Sequence, residues 1–196
     1  DSFDQLEIRL GSSTSLNPDT QEPPNDQLRG LVGLYTKGQY QEALNKASQL
    51  LDQFPNSLNL HNIMGAANQG LGKMEDAIEA YNKALFIKPD YAEAHSNLGN
   101  VLQELGRLDE AETSCRQATF LKPYYARAHN NLGVALKSLS RLEEAEASFK
   151  QAIAIKPDYA EVYSNLGNAI QDLSRFDEAE ACYREAIALK PDYAPA

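Results

Sequence analysis

The sequence predicts an all-α fold, a solenoid of about five stacked helix-turn-helix units, on three observations. Pro55, Pro89, Pro123, Pro157 and Pro191 recur every 34 residues, and a fixed period of that length marks a repeat array. Each interval holds two runs of apolar residues at helical spacing, such as Ala94, Leu98, Val101, Leu102 and Leu105, then Leu108, Ala111, Cys115, Ala118 and Leu121. Between the runs of the first three units stands Gly38, Gly72 or Gly106, the residue for which a left-handed, helix-ending backbone costs least.

Taken in order, residues 1–23 read as an N-terminal segment and linker. Phe3, Leu6 and Leu10 in DSFDQLEIRL lie near helical spacing and predict a short helix, whereas the following GSSTSLNPDTQEPP has the composition of a linker. The array occupies residues 24–193, in units 24–57, 58–91, 92–125, 126–159 and 160–193. Its first unit is degenerate and keeps little beyond Gly38, Ala43 and Pro55. In the last two units Ser140 and Ser174 replace the turn glycine, at about 1 kcal/mol per site where the backbone is left-handed. Each second helix after the first unit ends at Lys-Pro, because proline restricts the residue before it and has no N–H to donate. Lys88, Lys122, Lys156 and Lys190 therefore fall at helix C-termini, where a cation complements the dipole. Residues 194–196 read as the start of a truncated next repeat, since Tyr193-Ala194 repeats the junction Tyr159-Ala160. No polar capping helix follows, and arrays need one for solubility. The expectation is a longer protein, or a C-terminal face that packs on another chain.

The repeats resemble the tetratricopeptide family over about residues 24–193. That family carries a large residue, Leu-Gly and a bulky residue on the first helix, then Ala, an aromatic and Ala on the second, before proline. The fifth unit shows these as Tyr163, Leu166, Gly167, Ile170, Ala179, Tyr183, Ala186 and Pro191, and the fourth as His129, Leu132, Gly133, Leu136, Ala145, Phe149, Ala152 and Pro157. Departures are the absence of Trp and a histidine in place of the large residue in three units. The resemblance implies a right-handed superhelix, consistent with the need of each unit to share its apolar face with a neighbour. Small residues at Gly99, Gly133, Gly167, Ala111, Ala145 and Ala179 suit helices packed about 8–10 Å apart.

The resemblance further implies that the first helix of each unit lines a concave groove. In the third to fifth units the groove positions are mostly amides: Asn97, Asn100 and Gln103, then Arg127, Asn130, Asn131 and Lys137, then Asn165, Asn168 and Gln171. Asn97, Asn131 and Asn165 recur once per unit. A carboxamide offers donors and an acceptor together, so it pairs with main-chain N–H and C=O without reading side chains. The expected partner is a protein or unstructured peptide, held as an interaction module holds it. The ladder is similar to that of arrays fused to protein O-glycosyltransferases of the O-linked N-acetylglucosamine and SPINDLY type. One alternative is therefore a recruiting arm for a glycosyltransferase or sulfotransferase. Another is homo-oligomerisation through the C-terminal face. A third reading of the asparagines has them capping turns or bonding between neighbouring helices. A clamp for chaperone C-termini is disfavoured, since Ser96, Glu161 and Asn165 stand where the family needs cations.

Composition bounds the rest. A formal charge of −10 over 196 residues opposes binding to nucleic acid or anionic membrane. The chain shows no spanning apolar run and no export signal, so a cytoplasmic location is expected. His61, His95 and His129 lie one per unit, too far apart to share a metal, and no cofactor is expected. Cys115 and Cys182 are expected as free thiols. The acidic starts LDEAE, LEEAE and FDEAE recur once per unit, where they favour helix dipoles. No motif for nucleophilic, phosphoryl or metal chemistry is present, and the chain reads as non-enzymatic.

Overall fold

The computed structural model describes residues 21–191. Among these the chain is all-helical: α1 (Asn25–Thr36), α2 (Tyr40–Leu51), α3 (Leu58–Gly70), α4 (Met74–Ile87), α5 (Ala92–Glu104), α6 (Leu108–Leu121), α7 (Ala126–Ser138), α8 (Leu142–Ile155), α9 (Ala160–Asp172) and α10 (Phe176–Leu189). The short helix expected in residues 1–10 and the repeat start at 194–196 lie outside the described residues. The chain divides into two compact units, Asp1–Val101 and Leu102–Ala196, with the boundary inside α5.

The turn inside each repeat explains why helices pair. Gly38, Gly72 and Gly106 all have φ 73°. At the first of these turns Gly38 N–H donates to Tyr35 and Gln39 N–H donates to Leu34, at 2.9 and 3.0 Å. This reversal satisfies carbonyls that the helix end would leave unpaired. Ser140 and Ser174 make the same turn at φ 60° and 62°, with Arg141 and Arg175 N–H bonded to Leu136 and Ile170. The left-handed backbone expected of these serines is present.

In the first unit Leu28, Leu31, Tyr35, Ala43, Leu44, Ala47, Leu60 and Ile63 form one buried cluster. In the second, Leu132, Leu136, Phe149, Val162, Leu166 and Ile170 do so, with Cys115 among them. Close approach inside a repeat depends on glycine. A Cβ built at Gly65 would lie 2.5 Å from the Tyr81 ring, at Gly133 2.5 Å from Phe149, and at Gly167 2.6 Å from Tyr183. Each aromatic therefore fills the space that the opposite glycine leaves.

Residues 21–24 belong to the packed structure. The Glu22 carboxylate accepts from Leu58 N at 2.8 Å and from the Ser57 hydroxyl, while Ser57 Oγ accepts from Leu60 N at 3.1 Å. These bonds pair N–H groups that the start of α3 cannot satisfy internally. The later repeats hold Tyr91, Tyr125 and Tyr159 at the Ser57 position, all buried.

Candidate functional site

Some of the amides expected to line the groove are tied to amides on a neighbouring first helix. In the first unit Asn97 Nδ2 donates to Asn62 Oδ1 at 2.7 Å, and both residues are buried. In the second unit Asn165 Nδ2 donates to Asn130 Oδ1 at 3.0 Å. Both pairs are separated by 35 residues, one repeat period plus one. That offset puts a donor and an acceptor side by side on the first helices of successive repeats. Asn131 is buried as well, so it offers little surface to a ligand. Asn100 and Gln103 are half-buried. Two buried amide atoms, Asn62 Nδ2 and Gln103 Oε1, have no hydrogen-bond partner.

Among the amides expected in the groove, the exposed ones of the second unit lie on α9. Asn168 and Gln171 are exposed, and Asn165 is half-buried. The Tyr183 hydroxyl from α10 lies 2.8 Å from both Asn168 Oδ1 and Gln171 Oε1. A phenol carries one proton, so it donates to one carboxamide and accepts from the other once that amide is turned. Burial raises the Tyr183 pKa above its ordinary value, and the charge of Asp172 adds to this. The hydroxyl therefore stays protonated at neutral pH. Lys137 is paired with Asp172 at 3.0 Å. Arg127 folds back onto the residue before its helix, donating from Nη2 to the Tyr125 hydroxyl at 2.6 Å and lying 5.5 Å from that ring's centre. Sequence reasoning gave Tyr183 only a core role. Its ring does pack on Gly167, but its hydroxyl reaches the amide face.

The histidines have a local explanation. Nε2 of His61, His95 and His129 bonds the carbonyl oxygen of Pro55, Pro89 and Pro123, at 3.2, 2.9 and 2.9 Å. Carbonyls only accept, so each Nε2 carries the proton. For His61, burial lowers the pKa below its usual value, with the Pro55 bond opposing and Lys83 assisting. Among the described residues no group of His, Cys, Asp and Glu could hold a metal ion. Cys115 and Cys182 are free thiols, and burial pushes Cys115 up to about 12. Two of the helix-terminal lysines have a further contact: Lys122 and Lys156 place their ammonium groups 4.4 and 4.7 Å from the ring centres of Tyr125 and Tyr159.

Sequence comparison matches the family described as TPR repeat at residues 70–106 and 135–174, and that described as Tetratricopeptide repeat at residues 160–193 and 92–125. Together these matches cover more than half of the chain. The chain belongs to the tetratricopeptide repeat family. No curated protein matches it. Among solved structures it is similar to TTC0263, a thermophilic tetratricopeptide protein in Thermus thermophilus, at 27% identity and TM-score 0.74, covering 85% of this chain and 91% of that one. MamA is similar at 25% identity and TM-score 0.69, covering 81% and 93%. YrrB, described as having an unusual peptide-binding site, shares the fold at 20% identity and TM-score 0.64, covering 85% and 86%. This is a protein-interaction fold. No helix among the described residues is long and apolar enough to cross a membrane.

Proposed function

We propose that this chain binds an extended polypeptide along the first-helix face of its repeats, pairing carboxamides with the main chain of the ligand. The observation that carries the reading is the arrangement on α9. Asn165, Asn168 and Gln171 follow one another at three-residue spacing, which places them on one helix face about 4.5 Å apart along the axis. Asn130 and Tyr183 fix how these amides are turned, so the remaining donors and acceptors are held ready. Groups held by neighbours lose less freedom on binding, which favours affinity. The Lys137–Asp172 pair leaves this face without an open cationic clamp, so a peptide backbone fits it better than a terminal carboxylate.

The test is fluorescence polarisation of unstructured peptides against the wild type and an Asn168→Ala, Gln171→Ala double variant. Both residues are exposed, so the variant retains the core. A hydrogen bond contributes about 0.5–1.5 kcal/mol, so each lost contact weakens binding roughly 2- to 13-fold. Scrambling a bound peptide changes little, whereas N-methylating its backbone removes the donors and abolishes binding. Equal affinity for the double variant, or tolerance of N-methylation, removes this face from the mechanism.

A further inference from the structure

The first unit carries a groove that the amide face does not use. About 820 Å³ in volume, it follows one side of α4 from Glu75 to Ile87, a run of roughly 18 Å at about 1.5 Å per residue. Leu51, Pro55 and His61 contribute to its lining from outside α4. The repeat register explains why it is apolar. In each of the next three repeats the corresponding helix pairs a glutamate with the cation four residues on: Glu112 with Arg116, Glu146 with Lys150 and Glu180 with Arg184, at 2.7, 2.7 and 2.6 Å. The second repeat has Ile78 and Asn82 at those two places. An ion pair has been exchanged for a hydrocarbon and a neutral amide.

Two acceptors are left to meet a ligand. His61 is only 7% exposed, yet it lines the groove. Its Nε2 donates to the Pro55 carbonyl, so Nδ1 keeps its lone pair. That atom has no partner among the described residues and is not sealed in the core. Burial lowers the pKa of this imidazole, which is therefore neutral near pH 7. Glu75 is exposed and forms no ion pair among the described residues, whereas Glu79 is paired with Lys83 at 2.7 Å. The C-terminal end of the α4 face is hydrocarbon, with Ile87 beside a Phe86 side chain that is 90% exposed. We infer that this groove holds a short extended peptide segment with one cationic side chain and, further along, apolar ones. The cation meets Glu75, the apolar side chains cover Ile78, Ile87 and Phe86, and a main-chain N–H of the segment donates to His61 Nδ1. An extended chain advances about 3.3 Å per residue, so about five residues fill the length. An acidic ligand would set a second anion beside Glu75 with the Lys83 charge already engaged. The groove thus selects by side chain, whereas the proposed α9 face pairs with the main chain, and neither site depends on the other.

The experiment uses the whole chain and a blocked pentapeptide, acetyl-Lys-Ser-Leu-Ser-Trp-amide, with the reversed sequence as a second probe so that both chain directions are sampled. The isoleucine methyl signals of Ile78 and Ile87 and the Nδ1 nitrogen of His61 are followed by NMR. One of the two probes shifts both methyls with a dissociation constant of about 1 mM or lower, and moves His61 Nδ1 upfield as an accepted hydrogen bond does. Glutamate in place of the probe's lysine weakens binding roughly 2- to 5-fold. Ile78→Glu with Asn82→Lys, which installs the ion pair of the following repeats, abolishes binding and leaves the helical signature intact. The Asn168→Ala, Gln171→Ala variant binds the probe as the wild type does, which separates this site from the amide face. The inference is overturned if neither probe shifts Ile78 and Ile87, if His61 Nδ1 does not move, if the glutamate probe binds equally well, or if the Ile78, Asn82 variant keeps its affinity. Shifts confined to α9 overturn it too, and assign the probe to the amide face.

Discussion

Ser140 and Ser174 sit at φ 60° and 62°, a region where an L side chain is strained by roughly 1–2 kcal/mol. Glycine relieves that strain but loses more backbone entropy on folding, by about 0.5–1 kcal/mol. The first effect is the larger. Ser140→Gly and Ser174→Gly should each stabilise the chain by about 0.5–1 kcal/mol, seen as a higher urea midpoint at unchanged slope. A lower midpoint would mean that the serine hydroxyls contribute something the backbone geometry does not reveal. The histidines show the opposite case, where an unexpected residue type is well served. Each replaces a large family residue and ties the carbonyl of the proline six positions earlier. Spacing alone argued against a shared metal, but the bond itself could not be read from spacing.

Between elements, the deciding contact is glycine against ring. The Gly133 site lies under Phe149, with 2.5 Å between a built Cβ and Cε1. The ring is buried and has no room to withdraw. Gly133→Ala should cost about 1–3 kcal/mol, as overpacking of a filled core does, and Gly133→Ala with Phe149→Leu should recover part of the loss. Denaturant titration of the single and double variants checks this; additive losses would show that the two sites are independent. The Gly and aromatic positions were legible as a family pattern before any coordinates. Pairing of amides was not, because Asn97 and Asn165 donate to Asn62 and Asn130 at an offset of one period plus one, whereas alignment by period sets side by side residues one period apart. The asparagines thus combine two of the roles weighed from sequence: some bond between neighbouring helices, while the accessible amides of α9 carry the binding proposal.

At the scale of the whole chain, ion pairs between repeats of the second unit add a response to acid. The second unit ties successive repeats by Arg141 to Glu112 and Arg175 to Glu146. The position of these arginines is held in the first unit by Gln39 and Lys73. For Glu112 burial raises the pKa, but Arg116 and Arg141 outweigh it and the net shift is downward; for Glu146 Arg175 and Lys150 lower it against burial. A carboxyl depressed in the folded state adds stability above its unfolded pKa, near 4.5, and that contribution is lost as pH falls through the folded value. Urea midpoints should therefore fall below about pH 4.5, and an Arg141→Gln, Arg175→Gln variant should show a shallower fall. An unchanged acid limb in that variant would assign the pH dependence to other carboxylates.

The sequence by itself determined the repeat period, the helix pairs, the turn that closes each pair, and the family. Those features are local or periodic, so each depends on residues a fixed distance apart. Only the tertiary structure decided which polar groups remain available. Burial and hydrogen bonding depend on what a neighbouring helix presents, and one repeat position is a half-buried amide at Asn100 yet an exposed one at Asn168. The tertiary structure also showed that Glu22, within a linker by composition, pairs the start of α3. That contact joins residues 36 apart in the chain, and nothing in the local sequence encodes it.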